Sequence, residues 1–122
     1  MNPGGIMMDN QLKYYTETGK YRDRFDEGLP EVMKAYSAFR KTVYKDGALN
    51  LKTKRLIALA CALQSGCTRG IQGQTKDALE AGATRDEIFE AVSVAIVMGG
   101  TAVSAETWRV VKVLEEMGKY SV

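Results

Sequence analysis

Two cysteines, arginines close to each, and no histidine at all define the chemistry open to this chain of 122 residues. Cys67 follows the Ser65-Gly66 break and stands at the start of a helix, where unpaired N–H groups and the helix dipole favour an anion. Arg69 lies two residues on, and both effects raise the thiolate fraction that makes a cysteine nucleophilic. The competing reading of Cys67 is a small buried hydrophobe, as many free cysteines are. Cys61, inside the apolar run LIALACAL, reads as core. In an unbroken helix six residues put about 9 Å of rise between Cys61 and Cys67, beyond the roughly 7 Å that a disulfide spans. Only a sharp turn at Ser65-Gly66 brings them together. Arg55, on the last polar turn before that run, either pairs with a surface carboxylate or faces Cys67 across a helix pair, stabilising a thiolate or an anionic substrate. Asp77, Glu80, Asp86, Glu87 and Glu90 fall on caps and exposed faces and read as structural.

The missing histidine excludes Ser-His-Asp and Cys-His catalysis, His-liganded metals and the usual general base near neutral pH. Two cysteines are too few for a Cys-only zinc site, so neither a metal nor a cofactor is expected. A net charge of +2 with no basic stripe argues against nucleic acid as a partner. No segment approaches the roughly 18 apolar residues of a membrane span. The N-terminal MNPGGIMMDN has neither the basic nor the apolar region of a secretory signal, so the cytoplasm is the expected location.

The elements that must position these groups are helical. Residues 1–28 read as a flexible tail followed by an arm, either a short helix or irregular. A single domain fills residues 29–122. Pro30 suits a first helical turn, and Val32, Ala35, Tyr36, Phe39 and Val43 recur at spacings of three and four, predicting a helix over 30–44. Asn50 is a good N-cap for a helix over 51–64; its run LIALACAL is apolar almost all round, which predicts burial on every side at the centre of the fold. A helix over 67–81 follows, closed by Gly82 and weakened by Gly70 and Gly73 at about 1 kcal/mol each. Thr84 and Glu87 form a capping box for the next helix, which ends near Gly99-Gly100. A last helix over 102–117 presents Val103, Val110, Val111, Leu114 and Met117. Nothing alternates with period two. The class is all-α, five or six helices.

The pieces GALNLKTKRLIALACAL and GCTRGIQGQTKDALEAGATRDEIFEAVSVAIVMGG, residues 47–100, resemble the carboxymuconolactone decarboxylase family, which includes alkylhydroperoxidase-D-like antioxidant proteins. With LPEVMKAYSAFRK before them, the resemblance extends over residues 29–117. It implies an all-helical bundle built around a helical hairpin and assembled as a homotrimer or hexamer. The redox branch of the family uses a glutamate early in the central helix, a C-x-x-C pair, and a histidine four residues after the second cysteine. Here the first cysteine is Cys67, the second position is Gly70, the histidine position is Gln74 and the glutamate position is Arg55. A disulfide within the motif is therefore impossible. A one-cysteine cycle needs a resolving thiol from Cys61 after rearrangement, a neighbouring subunit or a small thiol. Arg55 can favour a thiolate, and Gln74 can hydrogen-bond a substrate but cannot relay protons.

Three functions follow. The first is a peroxidase-like (peroxiredoxin-type) thiol antioxidant with Cys67 as sole nucleophile, taking a peroxide and a thiol reductant as partners. The alternative is an oligomeric ligand-binding or structural member of the family that has lost the proton chemistry, its pocket at Arg55 and Gln74 suited to an anionic ligand. Lactone decarboxylation ranks last, because Arg55 and Gln74 supply neither proton donor nor acceptor.

Overall fold

A computed structural model describes residues 10–121, which form six helices of ten residues or more and one additional helical turn. In chain order these are α1 (Gln11–Glu27), α2 (Pro30–Val43), α3 (Leu51–Ser65), α4 (Thr68–Glu80), α5 (Arg85–Gly99), the turn α6 (Thr101–Ser104) and α7 (Thr107–Glu116). The described residues contain no strand, as the sequence predicts. The tail expected over the first ten residues lies, except for Asn10, outside the described residues.

Local chemistry sets most helix ends. Asn50 Oδ1 accepts the Thr53 N–H at 2.8 Å, and Pro30 opens α2. Thr84 Oγ1 accepts the Glu87 N–H at 3.1 Å while the Glu87 carboxylate accepts the Thr84 N–H at 2.9 Å. That carboxylate also takes the Lys52 ammonium at 2.8 Å, tying the start of α3 to the start of α5. The Lys52 hydrogen bond, and after it the Thr84 N–H, hold the Glu87 carboxyl below its ordinary value. Gly66 and Gly82 turn the chain after α3 and α4 with φ of +68° and +94°, a region that costs other residues about 1 kcal/mol or more.

The core forms where α3 and α4 fold back as a hairpin. Leu59 and Leu63 meet Ile71 and Ala78, α5 adds Ile88, Val92 and Ala95, and Val110 and Leu114 of α7 close the far side. The expectation that α3 is buried all round is corrected. Its neighbours α4 and α5 cover two sides only, so Ile57 is 48% exposed and Cys61 is exposed. Cys61 is not a core residue. The last predicted helix is likewise interrupted between α6 and α7, where Glu106 N–H reaches Val103 O at 3.0 Å in a tighter turn.

Where the sequence leaves a short helix or an irregular arm over residues 11–28, the structure has a 17-residue helix, α1, held from the opposite end of the chain. The Glu116 carboxylate accepts the N–H groups of Gln11 and Leu12 at 2.9 and 2.8 Å, capping α1 from α7. The Gln11 side chain is fully buried, with Oε1 accepting from Gln72 Nε2 at 2.8 Å and Arg109 Nη1 at 3.3 Å. Tyr15 lies against Gly73, at a distance that leaves no room for a Cβ there.

Candidate functional site

An open cleft of about 720 Å³ lies between α2 and the α3–α4 hairpin, with Tyr36, Arg40, Tyr44, Ile57, Cys61, Cys67, Gly70 and Gln74 among its walls. Cys67 is the N-cap of α4 rather than a residue of its first turn. Its Sγ accepts the Gly70 N–H at 3.2 Å, and the residue is exposed to solvent. The sulfur thus meets one of the orphan N–H groups that a helix start offers an anion. A second, adjoining hollow of about 420 Å³ shares Tyr36, Arg40, Cys67, Gly70 and Gln74 with the cleft.

Gly70 is closely enclosed. A Cβ there would fall 2.9 Å from Ala62 Cβ and 3.1 Å from Cys67 Sγ. Ala62 is a buried methyl on a helix backbone and has no rotamer by which to retreat. Position 70 therefore lacks a thiol and also the space for a side chain.

Arg55 and Gln74 are brought together, with Nη1 donating to Gln74 Oε1 at 3.3 Å. The same guanidinium lies 3.4 Å from Asp77 Oδ2 and stacks 3.8 Å from the centre of the Tyr44 ring. Of the two readings of Arg55, pairing with a carboxylate is the one these contacts show, and the hydrogen bond to Gln74 joins it to a residue of the cleft wall. Asp77, read from the sequence as structural only, belongs to this cluster. Arg69 does different work from that expected. Its Nη1 donates to Tyr15 O at 2.7 Å and Thr18 Oγ1 at 2.6 Å, and its guanidinium stacks 4.3 Å from the Tyr15 ring. It fastens α1 to α4.

Sequence reasoning missed the α2 side of the site. Arg40 stacks on Tyr36 at 5.9 Å and on Tyr44 at 5.3 Å, so the Tyr44 ring receives two guanidiniums. Lys54 Nζ donates to Val43 O at 2.8 Å and holds the end of α2 against α3. The signal available was the Tyr36-Arg40-Tyr44 spacing of four, which stacks side chains along one helix face.

An all-helical protein, then, whose hairpin presents a helix-capping cysteine to an open cleft, with an arginine and a glutamine paired behind it. Residues 30–113 match the carboxymuconolactone decarboxylase family, and the chain belongs to it. Uncharacterised protein 4 in the cox locus of Paracoccus denitrificans is 41% identical over 83 residues, covering 68% of this chain and 75% of that protein. An uncharacterised protein of Cupriavidus necator is 34% identical over 85 residues, covering 70% and 75%. Among solved structures, a carboxymuconolactone decarboxylase family protein of Legionella pneumophila superposes with a TM-score of 0.79 at 29% identity, covering 93% of this chain and 99% of that one. A Thermotoga maritima member of the family, for which involvement in antioxidative response has been suggested, gives 0.77 at 28% identity, covering 86% and 90%. No helix among the described residues is long and apolar enough to cross a membrane.

Proposed function

We propose that the protein is a peroxidase-like thiol antioxidant with Cys67 as the nucleophile. One observation carries this reading: Cys67 is solvent-exposed and lines a cleft, and its sulfur is met by a helix-start N–H at 3.2 Å. The thiolate attacks one peroxide oxygen, and the S–O bond forms as the O–O bond breaks. Sulfur is oxidised to sulfenic acid, while the alkoxide released takes a proton from water and leaves as the alcohol. A thiol reductant then attacks the sulfenic sulfur, expels water and forms a disulfide, which a second thiol reduces. Gln74 can hydrogen-bond the peroxide. Water at the open mouth replaces the proton relay that the glutamate and histidine positions no longer provide. A cycle ending in thiol reduction suits the reducing cytoplasm.

The reading includes self-association as a trimer or hexamer. Helix α2 buries none of its residues; Val32, Tyr36, Phe39 and Val43 form an exposed apolar stripe, with Phe39 at 64%. Contiguous apolar surface of this kind marks an interaction face. A second reading, an anion held in the cleft, draws on Arg40 in its wall and on Arg55, which backs the wall residues Tyr44 and Gln74. The deciding experiment follows alkyl hydroperoxide loss with dithiothreitol as reductant. Turnover that disappears in Cys67→Ser supports the antioxidant role, and equal turnover in that variant overturns it.

A further inference from the structure

The cycle above takes its resolving thiol from outside, yet the chain holds a second thiol on the wall of the same cleft. We propose that Cys61 is the resolving thiol, closing a reversible disulfide with oxidised Cys67 across the turn at Gly66. The oxidant in this scheme rests on the antioxidant reading of Cys67; the pairing of the two sulfurs rests on the turn at Gly66 and on the cleft that both residues line.

The sharp turn that the pairing requires is present. Gly66 adopts φ +68° and ψ +28°, with its N–H directed to Leu63 O at 3.3 Å, and the Cys67 N–H bonds Ala62 O at 3.0 Å. These two bonds define a Schellman motif with Gly66 at its left-handed position. In that motif the residue after the glycine folds back, and its side chain meets those three and four places before the helix cap. Here those places are Ala62 and Cys61. At rest Cys67 Sγ is turned onto the Gly70 N–H at 3.2 Å, a single hydrogen bond that it must leave to reach Cys61. Cys61 and Cys67 are both exposed, both free and both on the wall of the same cleft. The rise of an unbroken helix, which would hold them apart, does not apply. The enclosure of Gly70 removes the competing position one turn into α4, whereas nothing encloses Cys61.

In the step itself, peroxide converts the Cys67 thiolate to sulfenic acid. The Cys61 thiolate, having given its proton to solvent, attacks Cys67 Sγ. The S–S bond forms as the S–O bond breaks, and the departing hydroxide takes up a proton as water. Sγ turns from the Gly70 N–H to do so. A dithiol reductant returns both residues to thiols.

The experiment treats the intact protein with one equivalent of cumene hydroperoxide and, separately, with diamide, which oxidises a thiol pair without passing through a sulfenic acid. After alkylation and trypsin, residues 56–69 form a single peptide carrying both cysteines. The expected result with either oxidant is loss of both thiols and a peptide two hydrogens lighter, in monomeric form on a denaturing gel and restored by dithiothreitol. In Cys61→Ser, Cys67 should instead be trapped by dimedone, and dithiol-supported turnover should slow by at least an order of magnitude. A free Cys61 beside an oxidised Cys67, or a bridge only between chains, overturns the pairing and leaves the antioxidant reading standing. An internal bridge with diamide while peroxide leaves Cys67 untouched sinks the antioxidant reading and keeps the pairing. No internal bridge with diamide ends the pairing whatever peroxide does.

Discussion

Moving one methyl group from α3 to α4 tests the packing that closes position 70. A Cβ on Gly70 would sit 2.9 Å from Ala62 Cβ, closer than two methyl carbons pack. Gly70→Ala gains about 1 kcal/mol of helix propensity and loses about 1–3 kcal/mol to overpacking, which leaves it neutral to roughly 2 kcal/mol less stable. Ala62→Gly loses about 1 kcal/mol of propensity and roughly 0.8 kcal/mol for the buried methyl. Independent effects would make the double variant about 2–4 kcal/mol less stable than the parent. Because Ala62→Gly removes the obstructing methyl, the double variant should lie only about 1 kcal/mol below it, a coupling of about 1–3 kcal/mol. Urea unfolding of all four proteins, with unchanged m-values, reads the cycle directly. Additivity within about 0.5 kcal/mol would show that α3 and α4 separate freely at this point. In that case the account of why position 70 holds no side chain is wrong.

Three further outcomes follow from the geometry. Glu116→Ala should cost about 0.5–2 kcal/mol, as loss of a helix N-cap does, with hydrogen exchange rising at residues 11–14 before the core; equal protection there would contradict the capping role. The Glu87 carboxyl is held below its ordinary value of 4.5 by Lys52 and the Thr84 N–H. Its contribution is therefore complete above that value and is lost as pH falls through the depressed one. Glu87→Gln should accordingly flatten that acidic limb of the Tm profile, and an unchanged limb would refute the assignment. Phe39→Glu in the exposed apolar stripe of α2 should reduce the solution mass to that of a monomer with unchanged helical circular dichroism, while an unaltered assembly would move the interface elsewhere.

What could be read in advance was chemistry that acts over a few residues. Asn50 and Thr84 cap their helices as the sequence says, because a cap is made by residues three apart. The meeting of Arg55 and Gln74 was legible only through family resemblance, since nothing local relates residues 19 apart. Cys61 was misplaced for a definite reason. An apolar run states that a helix can be buried on every side, whereas its neighbours decide how many sides are covered. The role of Arg69 was hidden in the same way, as its partners Tyr15 and Thr18 stand more than fifty residues away. Gly66 was recognised as a break, but its left-handed conformation, which folds Cys67 back, is a property of backbone angles that a glycine permits without dictating.

The cap that Glu116 places on α1 joins residues 105 positions apart, and this has a consequence during synthesis. Chains emerge from the ribosome N-terminus first, at about 5–20 residues per second. The first helix is therefore exposed for several seconds before the carboxylate that caps it has been made. That cap can form only at the end of synthesis, after both helices of the α3–α4 hairpin have been made. The same contact brings the start of α1 beside the end of α7. A linker carrying the chain from beyond Glu116 to Gln11, with new termini opened in the exposed loop between α2 and α3, should give a circular permutant in which α1 and α2 are built last and α1 meets its cap as it emerges.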